Sequence, residues 1–392
     1  MKKYLSLFIL YYLRFFAKLQ LLKNKKMVIV GITGSAGKSS TVSVCEAALS
    51  SKYKIKTNNG TNSESGIPLS ILGIKVSGYS TTDWLKYCLI APIKLFTNWQ
   101  KYDIYLCEMG IDGPDIPKNM VYLLSIVKPK IGIFLNVNLV HGEFFKDIYS
   151  IGLEKSKLIA TLPSTGYALI NTNDPIVAKT TQNTLAKKIY LKPIHINFEK
   201  FAPPASFDIS ISAAINLAEI FDINRNNAID NIKNYLVLPP GRSSLLSGIN
   251  NSTIIDSSYN SSPLACSEML AVLKNSLSPR IAILGDMREL GIISKSAHQQ
   301  IYNQALKSCD TIISIGKETS QYFGDKAIKF LNYVDATNYL KENLPKNSTI
   351  LVKGSQNTIF LEELVKSILQ NPADSSKLCR QSPYWMKTKN II

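Results

Sequence analysis

Residues 27–41 read MVIVGITGSAGKSST, and this stretch sets the architecture expected for the first half of the chain. Its apolar, β-branched start predicts a buried strand, a Gly/Ser-rich turn follows, and Lys38 opens a segment compatible with a helix. A strand, a glycine turn and a helix start direct backbone N–H groups at an anion, and the lysine adds a positive charge. The stretch therefore predicts a phosphate-binding loop. The residues expected to line it are Thr33, Gly34, Ser35, Gly37, Lys38, Ser39 and Ser40.

The composition is that of a soluble globular protein with a strong positive charge. Its 392 residues predict two or three domains, and 45 Lys and Arg against 28 Asp and Glu favour anionic partners. The lysines are dispersed and no nucleic-acid-binding motif is present, so nucleic acid is not an expected partner. The six cysteines include no CxxC pair, which excludes a zinc ribbon and favours a reduced, cytoplasmic protein.

The N-terminal segment is apolar and basic. Residues 4–22 are mostly apolar but contain Arg14 and Lys18, and the uncharged run of residues 4–13 is about half the length of a membrane span. No small-residue cleavage site follows, so a signal peptide is not expected. Two interpretations remain open. Residues 1–22 form either a basic helix in the interface of a membrane, contacting its inner face, or a helix docked on the protein's own core.

From residue 27 onwards, strand-like and helical stretches alternate, which predicts mainly parallel sheets covered by helices on both faces. Residues 238–241, LPPG, interrupt the alternation and mark a domain boundary. The expected strands are 103–109, 130–136, 166–171 and 189–197 before this boundary and 253–256, 280–285, 311–315 and 349–353 after it. The expected domains are a helix over 1–26, an α/β domain over 27–238, a second α/β domain over 239–370 and a loose, basic tail over 371–392.

Glu108 ends one of the expected strands, at the sheet edge where the phosphate-binding loop is predicted. The carboxyl ends of parallel strands meet at one edge of a sheet, and ligands bind there. Glu108 could hold Mg²⁺ together with Ser39 and phosphate oxygens, because Mg²⁺ prefers one or two carboxylates with several phosphate or water oxygens. A strand-end glutamate in solvent is the alternative.

His141 follows the next expected strand, and Lys155 and Lys157 lie in a helix-like segment over residues 151–162. Taken alone, a loop histidine is more often a hydrogen-bonding surface residue, and the two lysines form a solvated basic face. Spacing and composition leave both a structural and a functional interpretation open for these three residues.

An ordered series of motifs resembles one known family. The strings TGSAGKSST, EMG, NVNLVHGEFF, EKSKLIATLP and ALINTND resemble the ATPase domain of the Mur ligases, the ATP-dependent amide ligases of peptidoglycan precursor synthesis. PGR, DSSYNSSP, GDMRELG and KGS extend the resemblance, which covers roughly residues 27–370. The set is most similar to the members that add D-alanyl-D-alanine to a UDP-linked muramoyl tripeptide. The resemblance implies a P-loop ATPase domain with a mainly parallel sheet and a C-terminal Rossmann-like α/β domain.

The resemblance implies a role for each candidate residue. Lys38 would hold the β- and γ-phosphates of ATP. Ser39 and Glu108 would bind a first Mg²⁺, and His141 a second. Lys155 falls where the family carries a carbamylated lysine, whose anion would join the metal site, and the lysine two positions further on is the weaker candidate. The remaining nucleotide and acceptor contacts implied are Asn171, Asp174, Arg242 (which would also reach the transferring phosphate), Asp256, Tyr259 and Asn260.

The implied reaction has two steps. A substrate carboxylate attacks the γ-phosphate of ATP to give an acyl phosphate, and an amine then displaces phosphate to form an amide. The expected substrates are a peptide-bearing cell-wall precursor and D-Ala-D-Ala or another amine. Residues 1–26 leave no room for the family's N-terminal UDP-binding domain, and Ala36 stands where the family usually has Asn. Two alternatives therefore remain: a ligase of the same mechanism with a lipid-linked acceptor, and a non-catalytic nucleotide-binding scaffold protein.

Overall fold

The computed structural model describes residues 2–58, 60–138, 145–355 and 359–389, which fold as two compact α/β units. Unit 1 spans residues 1–195 and 208–237, and unit 2 spans residues 196–207 and 238–392. The expected fold class, two α/β domains with mainly parallel sheets, is confirmed.

Unit 1 is built around a parallel sheet whose four inner strands are short apolar runs. Its strands are β1 (Val28–Thr33), β2 (Ile55–Thr57), β3 (Ile104–Glu108), β4 (Ile131–Phe134), β5 (Tyr167–Ile170) and β6 (Lys187–Tyr190). Its helices are α1 (Lys2–Leu22), α2 (Lys38–Leu49), α3 (Gly66–Leu72), α4 (Thr81–Thr97), α5 (Met120–Ile126), α6 (Ile148–Ala160), α7 (Pro175–Thr180), α8 (Phe207–Ile220) and α9 (Arg225–Tyr235). The strand order is β2-β3-β1-β4-β5-β6, which puts β1 in the middle, where both of its faces are covered.

The register of the central strands brings the predicted site residues to one edge. In β1, Ile32 pairs with Glu108 of β3, and Thr33 pairs with Phe134 of β4. Because all three strands run in parallel, their carboxyl ends open beside the start of α2. The phosphate-binding loop and Glu108 therefore lie side by side, as the sequence predicts.

Unit 2 has a second sheet, parallel except at one edge. Its strands are β7 (Ser244–Gly248), β8 (Ser252–Asp256), β9 (Arg280–Gly285), β10 (Thr311–Ile315), β11 (Ala327–Phe330) and β12 (Thr349–Lys353). Its helices are α10 (Pro263–Lys274), α11 (Ser294–Ala305), α12 (Lys317–Tyr322), α13 (Tyr333–Asn343), α14 (Leu361–Ser367) and α15 (Pro383–Lys389). The strand order is β11-β10-β9-β12-β8-β7, and β7 pairs with β8 in antiparallel fashion.

Three segments differ from the expectation. The strand expected over 189–197 ends at Tyr190, and the chain then leaves the first sheet. Residues 196–207, expected in the first domain, belong to unit 2, where Phe201 forms a β-bridge with Ser244. The tail, expected to be loose, forms a 3-10 turn and α15 and packs on unit 2. The tail packs there because its Arg380 and Lys389 form ion pairs with Glu362 of α14.

The N-terminal helix α1 is docked on unit 1 along one side only. Leu13 and Ala17 are fully buried, and Leu13 packs in an apolar cluster with Leu72 of α3 and Tyr87 of α4. The interpretation of a helix docked on the core therefore holds for this side. The opposite side of α1 is exposed and apolar.

Candidate nucleotide and metal site

The phosphate-binding loop joins β1 to α2. Helix α2 begins at Lys38, and its N-cap, Gly37, has φ +80°, a left-handed conformation that glycine adopts without steric cost. Glycine offers no side-chain acceptor, so an anion can satisfy the N–H groups at the helix start. The loop is held by Asn136, whose Oδ1 accepts the N–H groups of Ser35 at 3.1 Å and Ala36 at 2.8 Å. Lys38 Nζ folds across the loop and donates to the carbonyl of Gly34 at 2.8 Å.

Glu108 is buried at the end of β3, and its carboxylate faces the start of α2. The hydroxyl of Ser39 donates to Oε2 at 2.8 Å, and Nδ2 of Asn62 donates to Oε1 at 2.7 Å. Asn58 fixes the main chain, because its Oδ1 accepts the N–H of Glu108 and its Nδ2 donates to the carbonyl of Glu108. A hydroxyl and a carboxylate held together next to a phosphate-binding loop are the oxygen ligands that suit Mg²⁺.

Lys155, in α6, lies in the same cluster. Its side chain is only 2% exposed, and its Nζ donates at 3.2 Å to the carbonyl of Gly34 that Lys38 also contacts. Burial, and then the positive charge of Lys38, holds the pKa of Lys155 well below its ordinary value. Lys157, two residues later, is 41% exposed and pairs with Glu154. Packing therefore distinguishes the two lysines: of the two, only Lys155 contacts the phosphate-binding loop, and burial lowers the pKa of its amine.

Other predicted residues of unit 1 have structural contacts. Asn171 donates to the carbonyl of Leu135 at 2.6 Å, and Asp174 both caps α7 and accepts the N–H of Val137 at 2.9 Å. Both side chains thus shape the segment after β4. Thr33 is fully buried, and its hydroxyl donates to the carbonyl of Met109. Ser40 is half-buried in the first turn of α2, and His141 lies outside the described residues.

The predicted residues of unit 2 form a second cluster. Asp256 ends β8, is fully buried, and accepts the N–H of Ser258 at 3.1 Å. Burial raises the pKa of its carboxyl. The guanidinium carbon of Arg242 lies 4.6 Å from the centre of the Tyr259 ring, a cation–π contact. The ammonium of Lys353 donates a hydrogen bond to the main-chain carbonyl of Asn260 at 2.9 Å.

Arg380, in the tail, supports this second cluster. Its guanidinium donates to the carbonyls of Ser258 and Tyr259, at 2.9 Å each, and forms a bidentate pair with Glu362 of α14. Lys389 adds a second cation at 2.9 Å from Glu362. The buried carboxylate is thereby compensated, and the loop after β8 is tied to the tail.

Five residues of these clusters were not among the residues predicted from the sequence. Asn58 and Asn62 follow β2, a strand of three residues that is too short to show in the sequence pattern. Lys353 ends the expected strand over 349–353, and this position at a strand end could have identified it as a candidate site residue. The other two are Asn136 and Arg380. Asn136 follows an expected strand in the same way, whereas nothing local distinguishes Arg380 from the other cations of the tail.

Two family models match the chain: the Mur ligase middle domain over residues 32–210, and the Mur ligase, glutamate ligase domain over residues 241–356. The chain belongs to the Mur ligase family and is an ATP-dependent ligase of the Mur type. The resemblance of the motifs is therefore confirmed. Within the family, the relatives below are ligases that add D-alanyl-D-alanine, the type named MurF.

The chain is 26% identical to the UDP-N-acetylmuramoyl-tripeptide--D-alanyl-D-alanine ligase of Buchnera aphidicola subsp. Acyrthosiphon pisum, over 91% of this chain and 79% of that enzyme. It is 24% identical to the Escherichia coli enzyme of the same name, over 88% and 77% of the two chains. The structure resembles MurF ligase from Thermotoga maritima in complex with ADP, with a TM-score of 0.76, 21% identity, and coverage of 91% of this chain and 83% of that one.

Proposed function

We propose that this ligase joins a carboxylate of a peptide-bearing cell-wall precursor to the amine of D-Ala-D-Ala, in the manner of the relatives' named reaction. The observation that carries the proposal is the convergence of Ser39, Glu108 and Lys155 on the phosphate-binding loop. A phosphate cradle alone would suit many nucleotide-binding proteins. A carboxylate, a hydroxyl and a buried amine of lowered pKa around it suit transfer of a phosphoryl group to a carboxylate.

In the first step, a carboxylate oxygen of the precursor attacks the γ-phosphorus of ATP, and ADP leaves with the electron pair of the broken P–O bond. Lys38 lies across the loop and supplies positive charge where negative charge builds up on the transferring group. Ser39 and Glu108 would hold Mg²⁺, which neutralises phosphate charge when it is bound. In the second step, the amine attacks the acyl carbon, loses a proton, and displaces inorganic phosphate to leave an amide.

Lys155 would act as a carbamate. Its neutral amine attacks CO₂, forms an N–C bond and loses one proton, which leaves a carbamate anion. An anion at this position would add oxygen ligands for a metal at the phosphate-binding loop, and it would be attracted by the positive charge of Lys38. His141 remains the predicted ligand of a second Mg²⁺. The nucleotide and acceptor contacts of Arg242, Asp256, Tyr259, Asn260, Asn171 and Asp174 remain predictions of the resemblance.

Release of phosphate from ATP tests this proposal. The assay contains UDP-N-acetylmuramoyl tripeptide and D-Ala-D-Ala, and each substrate is omitted in turn. We expect release that needs both substrates, and a dipeptide-bearing product of the matching mass. Glu108→Gln should raise the Mg²⁺ concentration for half-maximal rate at least about tenfold. Glu46→Gln, which changes an exposed glutamate of the same helix as Ser39, should leave it unchanged. Phosphate release at the same rate with and without D-Ala-D-Ala would contradict the proposal.

A second candidate keeps the chemistry and changes the acceptor. The exposed apolar side of α1 favours a precursor that is lipid-linked, with the enzyme in the cytoplasm and residues 1–22 in contact with the inner face of the membrane. Activity with a lipid-linked muramoyl peptide and none with the UDP-linked one would select this candidate.

A further inference from the structure

Helices α1 and α4 carry two exposed apolar stripes. The exposed apolar residues of α1 are Leu5, Phe8, Tyr11, Phe15 and Leu22. Those of α4 and the turn after it are Leu85, Leu89, Ile93, Phe96 and Trp99. Within each helix they recur three, four or seven positions apart, which places them on one face. Phe8 is 66% and Phe96 is 75% exposed, whereas a helix at a protein surface normally turns polar residues towards water.

The two stripes face the same way. The helices lie side by side, and the hydroxyl of Tyr12 in α1 donates to the carbonyl of Cys88 in α4 at 3.1 Å. Their buried sides meet the same neighbour: Leu13 of α1 and Tyr87 of α4 pack with Leu72 of α3. Each exposed stripe is opposite the buried side of its helix, so both stripes point away from α3. We call these ten exposed apolar residues together the α1–α4 face.

The charge around the α1–α4 face is positive. Lys18 and Lys86 are exposed among the apolar residues of the two stripes. Residues 1–26 contain no Asp or Glu, and Asp83, which caps the start of α4, is the one acidic residue between positions 74 and 102. An apolar face with a basic rim is complementary to a layer of anionic headgroups above acyl chains.

Helix α1 is suited to lie on a membrane rather than to cross it. By length and composition, Leu5–Leu22 could span a bilayer. However, Leu13 and Ala17 are fully buried in unit 1, and Arg14 donates to the hydroxyl of Ser125 in α5 at 2.9 Å. A transmembrane position would break these contacts, whereas a position parallel to the surface keeps them and buries only the exposed stripe.

We propose that the α1–α4 face binds the surface of an anionic lipid bilayer. This inference shares one element with the proposed function, namely the contact of residues 1–22 with a membrane, and rests on it in that respect only. It adds the second helix, the orientation parallel to the surface, and the preference for anionic lipid.

Flotation of the full chain with vesicles tests the proposal. Vesicles of phosphatidylglycerol and phosphatidylcholine should bind the protein at low salt, and pure phosphatidylcholine should bind it at least about tenfold more weakly. The α1 variant Phe8→Ser/Phe15→Ser and the α4 variant Leu89→Ser/Phe96→Ser should each lower the partition coefficient at least about tenfold. Leu185→Ser, at an equally exposed leucine outside the face, is the control and should bind normally.

All variants should keep the circular dichroism spectrum of the wild type and its phosphate release in the absence of vesicles, which separates membrane binding from the ligase reaction. Normal flotation of the α4 variant would overturn the role of the second helix. Retention in membranes after alkaline carbonate washing would overturn the surface orientation. Concentration-dependent dimers that both variants abolish, without vesicle binding, would assign the face to a second copy of the chain instead.

Discussion

Replacing Lys155 by alanine is the sharpest test of the metal and phosphate site, because the chain carries its own control two residues away. Lys155 is buried against the carbonyl of Gly34, whereas Lys157 is exposed and pairs with Glu154. The two side chains are the same, lie on the same helix, and differ in environment. A difference between Lys155→Ala and Lys157→Ala therefore reports the environment and not a general loss of positive charge.

The magnitude follows from the proton equilibrium of the amine. A lysine with the ordinary pKa of about 10.5 is neutral in about one molecule in a thousand at pH 7.5. Burial lowers the pKa of Lys155. Each unit by which a lysine pKa falls raises the neutral fraction of the amine about tenfold, until the neutral form dominates. Only the neutral amine reacts with CO₂. The carbamate should therefore form more readily at Lys155 than at a lysine of ordinary pKa.

Phosphate release with saturating substrates and Mg²⁺ is the assay. Lys155→Ala should lower kcat at least about 100-fold, because the proposed carbamate ligand to the metal would be lost. Lys157→Ala should stay within about twofold of the wild type, since the partly exposed side chain of Lys157 pairs with Glu154 and not with the phosphate-binding loop. Formate or acetate should restore part of the activity of Lys155→Ala by supplying the missing carboxylate.

A direct readout accompanies the kinetics. The wild type incubated with ¹³C-labelled bicarbonate should show a carbamate signal by NMR that is absent from Lys155→Ala and present in Lys157→Ala. Wild-type activity in Lys155→Ala would refute the reasoning. Lys155→Ala could instead be inactive and correctly folded by circular dichroism, with no rescue by formate or acetate and no carbamate signal in the wild type. This result would contradict the carbamate and would assign Lys155 a structural role in supporting the loop.

Three further predictions concern groups outside that lysine pair. Arg380→Met leaves Glu362 buried without its bidentate partner and should lower the free energy of unfolding by about 3–5 kcal/mol in denaturant titrations, whereas Lys377→Met, at an exposed pair, should change it by less than about 0.5 kcal/mol. Burial lowers the pKa of Lys353 to about 8, so between pH 8 and 10.5 the unfolded state binds more protons than the folded one. Stability should therefore rise with pH across this window, by up to about 3 kcal/mol, and Lys353→Met should lack the rise. Asn136→Ala removes the acceptor of two loop N–H groups and should weaken binding of a fluorescent ATP analogue about tenfold. Unchanged affinity would show that the loop keeps its form without this side chain.

Several features could be predicted from the sequence because they depend on neighbours along the chain. The strand, glycine turn and helix start of residues 27–41 form one local unit, so this strand–turn–helix geometry followed directly from the residues. Glu108 was placed correctly because parallel strands end at a common sheet edge, whatever the rest of the fold does.

The packing of helix faces was decided only in three dimensions. Residues 155 and 157 lie almost on opposite sides of a helix, and the residue spacing does not say which side meets the phosphate-binding loop. Likewise, the sequence left open whether the N-terminal helix docks on the protein or on a membrane. In the structure one side of the helix packs on unit 1 and the other is exposed.

Polar contacts between residues far apart in the chain also could not be predicted from the sequence. Asn58 and Asn62 hold Glu108, and Arg380 holds the loop after β8, but in each case the partners are between 46 and 122 residues apart in the chain. The sequence by itself determined the local elements and the sheet edge where the candidate site lies, because those follow from backbone geometry and short-range periodicity. Only the tertiary structure decided which charged and amide groups are buried together, because that depends on how separate elements exclude water from one another.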